Sequence, residues 1–188
     1  MMISLLIVFG VLLVLVAIFV GIYNLLVQMK INVERAWANI AVLLKQRFDE
    51  IPNLVKVCEG YMKYERGVLE KVTLARTSFL SATTPKEVAG ANNMLSGALK
   101  SLFAVSENYP TLKADGTFLH LQGRISGVET DIALRREYYN SAVANYNTKI
   151  AQIPYVFFAG FMGYIAKELF AAEEETKKAP EIKFTIPA

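Results

Sequence analysis

Side chains that could support catalysis or bind a metal are few in this 188-residue sequence, which contains one histidine and one cysteine. A metal site in a helical bundle needs Glu-x-x-His pairs on two helices, whereas Thr117 stands three residues before His120. Cys58 falls among apolar residues at helical spacing, which favours a small core residue over a reactive thiol. The acids that could form a carboxylate site are Asp49, Glu50, Glu59, Glu65 and Glu70.

Known catalytic motifs are missing from the sequence, which contains no H-E-x-x-H, no G-x-S-x-G and no glycine-rich phosphate loop. We therefore interpret the five acids as a solvated charged face and His120 as a surface residue. The prediction is a protein that is not an enzyme and holds no cofactor or metal. The net charge of +3 includes no block of Lys or Arg, so nucleic-acid binding is not predicted either.

The most specific polar pattern is a repeated Tyr-Asn pair: Tyr139-Asn140 is followed seven residues later by Tyr146-Asn147. Seven residues are two helical turns, so the two pairs share one face. A buried asparagine fixes helix register at some cost in stability. One interpretation is therefore a set of hydrogen bonds between helices or to loop carbonyls, and the other is a stripe that binds a partner. The further candidates for these roles are Asn24, Trp37 and Asn53.

A second candidate surface is the almost wholly apolar stretch from Tyr155 to Ala166. It is too short to span a bilayer as a helix. Because large apolar side chains are costly to leave in water, the stretch either packs over the open end of a bundle or contacts lipid or a partner. Its largest candidate contact residues are Phe157, Phe158, Phe161 and Met162.

A membrane anchor organises the elements that position these residues. Residues 3–22 carry no charge and, at about 1.5 Å per residue, form a helix of roughly 30 Å, the thickness of a bilayer's hydrocarbon core. Lys30, Arg35, Lys45 and Arg47 follow this stretch, and no basic residue precedes it. The positive-inside rule then predicts a single-pass protein with its N-terminus outside and its body in the cytoplasm.

One face of this predicted span carries small residues. Gly10, Val14, Ala17 and Gly21 recur at steps of four, three and four. Ala17-x-x-x-Gly21 is a spacing that lets two helices approach closely in lipid, although glycine and alanine are also common in spans that do not associate. We predict contact with membrane lipid and a homo-oligomer held through the span, and we consider another membrane protein as a further partner.

Apolar residues at steps of three and four predict an all-α fold: a transmembrane helix continuous with an antiparallel up-and-down bundle of about four long helices, then a short C-terminal helix. Pro52 predicts a turn or a sharp kink at 50–53, and Thr84-Pro85 with Glu87 predicts a capping box. The predicted helices are 23–51, 53–82, 85–107, 117–152 and 155–166, with a polar loop at 111–116. The predicted division is an anchor at 1–23, a bundle at 24–170 and a polar tail at 171–188, whose residues 182–186 could be extended.

Several motifs together resemble the LemA family, in order and over nearly the whole chain after the predicted span. They are Tyr23-Asn24-x-Leu26-Val27, Val33-Glu34-x-Ala36-Trp37, Leu44-Lys45-x-Arg47, Ile51-Pro52-Asn53-Leu54-Val55, Glu107-x-Tyr109-Pro110-x-Leu112-Lys113-Ala114 and Tyr139-Asn140-x-x-Val143-x-x-Tyr146-Asn147. The resemblance implies one N-terminal span, a helical-bundle body and a molecular function that is not settled. It also implies hints of role, since some members are associated with membrane-organelle formation in magnetic bacteria and others are encoded beside a membrane zinc protease.

These observations predict a membrane-anchored, non-enzymatic scaffold or partner-binding protein that associates with itself at the membrane. Two alternatives stay open at this point. The first is an accessory subunit of a membrane protease or transporter. The second, disfavoured by the missing ligand sets, is a metal-dependent or hydrolytic enzyme.

Overall fold

The fold is all-α, as predicted. The computed structural model describes residues 2–170, and these form six helices with no strand among them. In chain order the helices are α1 (Met2–Tyr61), α2 (Arg66–Ser81), α3 (Pro85–Ser106), α4 (Pro110–Lys113), α5 (Gly116–Ala151) and α6 (Tyr155–Phe161). The predicted tail at 171–188, including 182–186, lies outside the described residues.

Helix α1 extends from the apolar N-terminus to the far end of the bundle. Its 60 residues correspond to about 90 Å. The N-terminal part is exposed along its whole apolar surface, and Ile22 is the first buried residue. Among residues 2–170, α1 is the one helix long and apolar enough to cross a membrane, by length and composition.

Of the two outcomes predicted at 50–53, the turn is wrong, because α1 continues as a helix through Pro52 to Tyr61. Proline removes one backbone hydrogen bond, to the carbonyl four residues earlier. Ile51 and Leu54 on either side are completely buried, and their packing keeps this part of the chain helical. The break comes instead at residues 62–65, so the helix predicted at 53–82 is divided between α1 and α2.

The ends of the next helices are fixed by side-chain caps. Thr84 and Glu87 form the predicted capping box at the start of α3. The predicted polar loop at 111–116 is wrong in part, because its first residues belong to the short helix α4, whose Leu112 is completely buried. Asp115 then caps α5 by accepting the N–H groups of Thr117 and Phe118.

The long helices α1 and α5 run antiparallel, and the α2–α3 hairpin packs on only half of their length. The half of the bundle distant from the apolar N-terminus has a four-helix core formed by α1, α2, α3 and α5, which includes Leu54, Val72, Leu99 and Leu121. The half near the apolar N-terminus is formed mainly by α1 and α5, around Ile40, Val143 and Tyr146, and the start of α3 contributes Val88 and Ala89 to it.

A segment from the C-terminal region completes this second half. Helix α6 ends at Phe161, so the predicted helix over 155–166 is too long. Gly163 then adopts a positive φ of 69°, which reverses the chain at low cost because glycine has no Cβ. Residues 164–170, which we call the strap, return along α5 and α1 without regular secondary structure.

Candidate interaction sites

The strap is held mainly through its backbone. Asn147 donates to the carbonyl of Lys167 at 2.9 Å and accepts the N–H of the same residue at 2.8 Å. Asn140 repeats both bonds with Phe170, at 2.9 and 2.8 Å. Each amide therefore satisfies both backbone groups of one strap residue, much as a neighbouring β-strand would. We call the set that holds the strap the clamp: Tyr139, Asn140, Tyr146 and Asn147.

The clamp tyrosines bind two further carbonyls of the strap. The hydroxyl of Tyr146 donates to the carbonyl of Ile165 at 3.1 Å, and that of Tyr139 donates to the carbonyl of Glu168 at 2.9 Å. The tyrosines thus contact strap residues three apart, as the asparagines do. Seven helical residues rise about 10.5 Å and three extended residues cover about 10 Å, so the heptad of α5 matches the period of a nearly extended strap.

Burial keeps the clamp tyrosines in the protonated form that donates. It raises the pKa of Tyr139, with a smaller contribution from the carboxylate of Glu168. It also raises the pKa of Tyr146, with smaller contributions from Tyr164 and Glu34. Both hydroxyls therefore remain donors to the strap at neutral pH.

The aromatic end of the strap fills the space between α1 and α5. Phe170 is completely buried. Its ring centroid lies 6.3 Å from that of Trp37 and 5.9 Å from the guanidinium of Arg136. The ring of Trp37 lies 5.4 Å from that of Tyr139. Trp37 is itself half-buried, so it covers the edge of the core rather than its centre.

The structure thus brings Trp37 and the four clamp residues together around the strap. These hydrogen bonds are of the kind that one interpretation of the sequence described, in which the Tyr-Asn pairs bind the carbonyls of a loop. Partner binding by the same residues stays a prediction. Asn24 and Asn53 lie elsewhere, on exposed positions of α1.

A buried arginine that the sequence analysis missed joins three helices. The side chain of Arg47 is 1% exposed and donates to Asn92 at 2.8 Å, Ser96 at 3.0 Å and Glu129 at 2.9 Å. Desolvation lowers the pKa of Arg47, and the charge of Glu129 opposes that shift. The available signal was position, because Arg47 stands between Leu44 and Ile51 at steps of three and four on the buried face of α1.

An open groove separates α1 from α2 at the end of the bundle distant from the apolar N-terminus. Its volume is about 700 Å³. Apolar side chains line its floor and charged side chains of both signs stand around them. We call it the tip groove, and its principal lining residues are Val55, Glu59, Met62, Lys63, Arg66, Leu69, Glu70 and Leu74.

The opposite end carries an apolar surface on α6. Phe158 packs its ring 5.5 Å from that of Phe19 in α1, and Ala159 is buried. Phe157 and Phe161 are 69% and 89% exposed. The predicted contact residue Met162 is half-buried.

Small residues of α1 form a separate open face. A Cβ added to Gly10 or Gly21 would meet no atom within 4 Å, and Ala17 is exposed. At 100° per residue, Phe19 lies roughly 180° around the helix from the mean direction of these small residues. Helix α6 and the small-residue face therefore occupy opposite sides of α1.

The candidate catalytic residues are dispersed, and several have structural partners. Asp49 pairs with Lys45 and Glu50 with Arg124. Glu65 accepts a hydrogen bond from Tyr109, while Glu59 and Glu70 line the tip groove. His120 is exposed and Cys58 is completely buried, as predicted. Within residues 2–170 there is no group of three or more His, Cys, Asp or Glu side chains that could hold a metal ion.

These features define a class of protein: a helical bundle built on one long helix whose apolar N-terminal part could span a membrane. The chain belongs to the LemA family, whose sequence model matches residues 36–184. The family resemblance read from the sequence is therefore confirmed.

Named relatives agree with this assignment. Two proteins of Paramagnetospirillum magneticum, named magnetosome protein MamQ 1 and MamQ 2, are each 26% identical over 174 residues, which covers 79% of this chain and 64% of the relative. Protein LemA of Metamycoplasma hominis is 28% identical over 137 residues, which covers 71% of this chain and 61% of the relative. The matches therefore span less than two thirds of these relatives' own length. Family membership and the exposed apolar helix together indicate a membrane-associated protein.

Proposed function

We propose that the chain is a membrane-anchored, non-enzymatic scaffold that binds a partner protein in the tip groove. The observation that carries this proposal is the groove itself, an open space of about 700 Å³ between two helices that are otherwise part of a packed bundle. Val55 and Leu69 give it an apolar floor, and Leu74 at its edge is 62% exposed. An amphipathic helix of a partner would cover such a groove with its apolar face.

The charges around the groove indicate the chemistry of that partner. Glu59 and Glu70 stand beside Lys63 and Arg66. A helix with apolar residues at steps of three and four and charges of both signs beside them would complement this rim. A strongly acidic partner would meet the like charges of Glu59 and Glu70, and a strongly basic one those of Lys63 and Arg66.

The arm that carries the groove supports a scaffold role. From Ile22 to Glu59, α1 rises about 55 Å without a break. Packing against α5 stiffens its middle, through residues that include Ile40 and Val143. A partner in the tip groove would therefore be held at a fixed distance from the bilayer, with the body on the cytoplasmic side as the positive-inside rule predicts.

Self-association through the predicted span is the second part of the proposal. Gly10, Ala17 and Gly21 leave an open face that a second copy could approach. Helix α6 is on the other side of α1, so it would not obstruct that contact. The oligomer would then present two or more tip grooves on parallel arms.

Photo-crosslinking of the full-length chain in its native membrane tests partner binding. A photoreactive amino acid at Leu74, in the groove, is compared with one at Val42, which is also apolar and is 67% exposed on α1 away from the groove. We expect a discrete crosslinked product at position 74 that is missing at position 42. Reversing the rim charges with Glu59→Lys and Glu70→Lys should lower its yield without changing thermal unfolding.

The identity of the crosslinked product separates the alternatives. A membrane protease or transporter would make the chain an accessory subunit, whereas a second copy of the chain would make the groove a self-association site. No product at position 74, or equal products at both positions, would contradict the groove proposal. A hydrolase-like role has less support, because Asp49, Glu50 and Glu65 already have partners in the fold.

A further inference from the structure

Helix α6 exposes large apolar side chains at the end of the body nearest to the predicted span. Phe157 and Phe161 are four residues apart, so they project from the same side of the helix. Ile153 before the helix and Ile165 after it are 78% and 71% exposed. Four such side chains within thirteen residues exceed what isolated surface apolar residues would explain.

The depth of α6 follows from its contact with α1. The ring of Phe158 lies 5.5 Å from that of Phe19. Phe19 stands three residues before the end of the predicted span at 3–22, which corresponds to only about 4.5 Å along the helix. Whatever surrounds the last turn of the span therefore also surrounds α6.

We propose that α6 is an interfacial helix that inserts Phe157 and Phe161 into the bilayer beside the span. The occupant of this surface is lipid, because α6 is in direct contact with the part of α1 that lipid would surround. Helices of this kind bury one face at the boundary between headgroups and acyl chains. The body would then be attached to the membrane at two places, which would fix the tilt of the arm.

Polar groups behind α6 suit the headgroup region. The ammonium of Lys149 lies 4.6 Å from the ring centroid of Tyr155, the first residue of α6. Lys30 and Lys167 line a cavity of about 530 Å³ together with Met162, the residue that follows α6. A carboxylate oxygen of Glu34 lies 3.9 Å from the ammonium of Lys30, and Glu168 directly follows Lys167 in the strap, so the local charge is only weakly basic. Apolar insertion, rather than attraction to anionic lipid, should therefore supply most of the binding.

Spin labels on the full-length chain test this proposal in nanodiscs of phosphatidylethanolamine and phosphatidylglycerol. Cysteine is introduced as Phe157→Cys or Phe161→Cys, with Val14→Cys as a control in the span and Val42→Cys as a control on the body. The native Cys58 is buried and its thiol has a pKa raised to about 11, so it should not compete for the label. All four replaced side chains are at least half exposed, so the fold should tolerate the changes.

The measurement is the ratio of collisions with oxygen, which partitions into lipid, to collisions with a water-soluble nickel chelate. We expect labels at 157 and 161 to show a ratio above that of position 42 and in the direction of position 14. Phe157→Glu combined with Phe161→Cys should move the ratio at 161 toward that of position 42 while thermal unfolding stays unchanged. A ratio at 161 equal to that at 42 would overturn the proposal. Dipolar broadening between labels of two copies at 161 would also overturn it, because protein rather than lipid would then cover α6.

Discussion

Removing one clamp amide should loosen the strap by an amount that the hydrogen bonds themselves predict. Asn147→Ala removes two bonds to Lys167, each shorter than 3 Å and partly shielded from water. A typical bond contributes about 1 kcal/mol net, so the strap should lose about 2 kcal/mol of local stability. That corresponds to roughly a 30-fold increase in the equilibrium constant for strap opening. Asn140→Ala should act similarly through Phe170.

Hydrogen exchange of the full-length chain in detergent, followed by mass spectrometry, measures this opening. Peptides that cover residues 164–170 should exchange about 30-fold faster in Asn147→Ala. The exchange rate of peptides from the four-helix core around Leu99, which we call the distal core, should not change. The matched control is Asn145→Ala, an exposed asparagine on the same helix. It should leave the strap unaffected.

Two results would refute this reasoning. Unchanged exchange in the strap would mean that the amides contribute nothing to holding it. Equal acceleration of hydrogen exchange in the strap and the distal core would mean that the two halves of the bundle unfold as one unit. The estimate from two hydrogen bonds would then not apply, because the strap would not open on its own. In the double variant, Asn140→Ala with Asn147→Ala, the effects should add to about 4 kcal/mol only if each amide holds its own part of the strap.

Four further predictions concern the core, the predicted span and the clamp tyrosine Tyr146. Trp37→Ala should lower the free energy of unfolding by about 3 kcal/mol, near the low end for large core aromatics because the ring is half-buried, and a loss below about 1 kcal/mol in denaturant titration would assign it to the surface. Arg47→Ala should cost about 2 kcal/mol because it leaves the buried amide of Asn92 and the half-buried Ser96 and Glu129 without their donor, and Arg47→Met should cost less; equal losses in thermal unfolding would contradict this account. Ala17→Leu with Gly21→Leu should weaken the full-length oligomer in crosslinking and light scattering in mild detergent without altering melting of the body, and a full-length monomer at the outset would exclude the span as the assembly element. Burial raises the pKa of Tyr146 in the folded chain above its unfolded value of about 10. The stability that the protonated hydroxyl contributes should therefore be fully present below pH about 10 and should be lost as pH rises through the folded pKa. The melting temperature of Tyr146→Phe should accordingly depend less on pH above about 10.

The sequence predicted the parts of this fold that depend on local periodicity. The apolar stripe of α5, from Phe118 to Tyr146, is buried as its spacing indicates. The capping box at Thr84 is present because its partners are three residues apart. Pro52 misled the prediction because the local preference of proline was outweighed by tertiary packing, namely the complete burial of Ile51 and Leu54.

Features that depend on distant parts of the chain were less accessible to sequence analysis. The partners of Arg47 on α3 and α5 lie 45 to 82 residues away, so its charge indicated a surface position although its spacing indicated a core one. The sequence showed the Tyr-Asn repeat but not the segment of the chain that it binds. An irregular strap has no periodicity of its own, and only the three-dimensional structure shows that residues 165–170 match a heptad on α5.

The strap explains how a two-helix arm can be stable in water. A hairpin formed by α1 and α5 alone would expose one side of its core along the half that α2 and α3 do not cover. Phe170 fills that gap, and the clamp supplies the backbone partners that an extended segment needs when it is buried without a sheet. The strap begins three residues after α6 ends, so an α6 inserted in the bilayer would hold one end of the segment that closes the arm. Membrane attachment and arm stability would then be coupled: withdrawal of α6 from lipid should increase hydrogen exchange in the strap before it affects the distal core. Hydrogen exchange of Phe157→Glu/Phe161→Glu in nanodiscs tests this coupling, and strap exchange identical to that of the unmodified chain would show that α6 and the strap act independently.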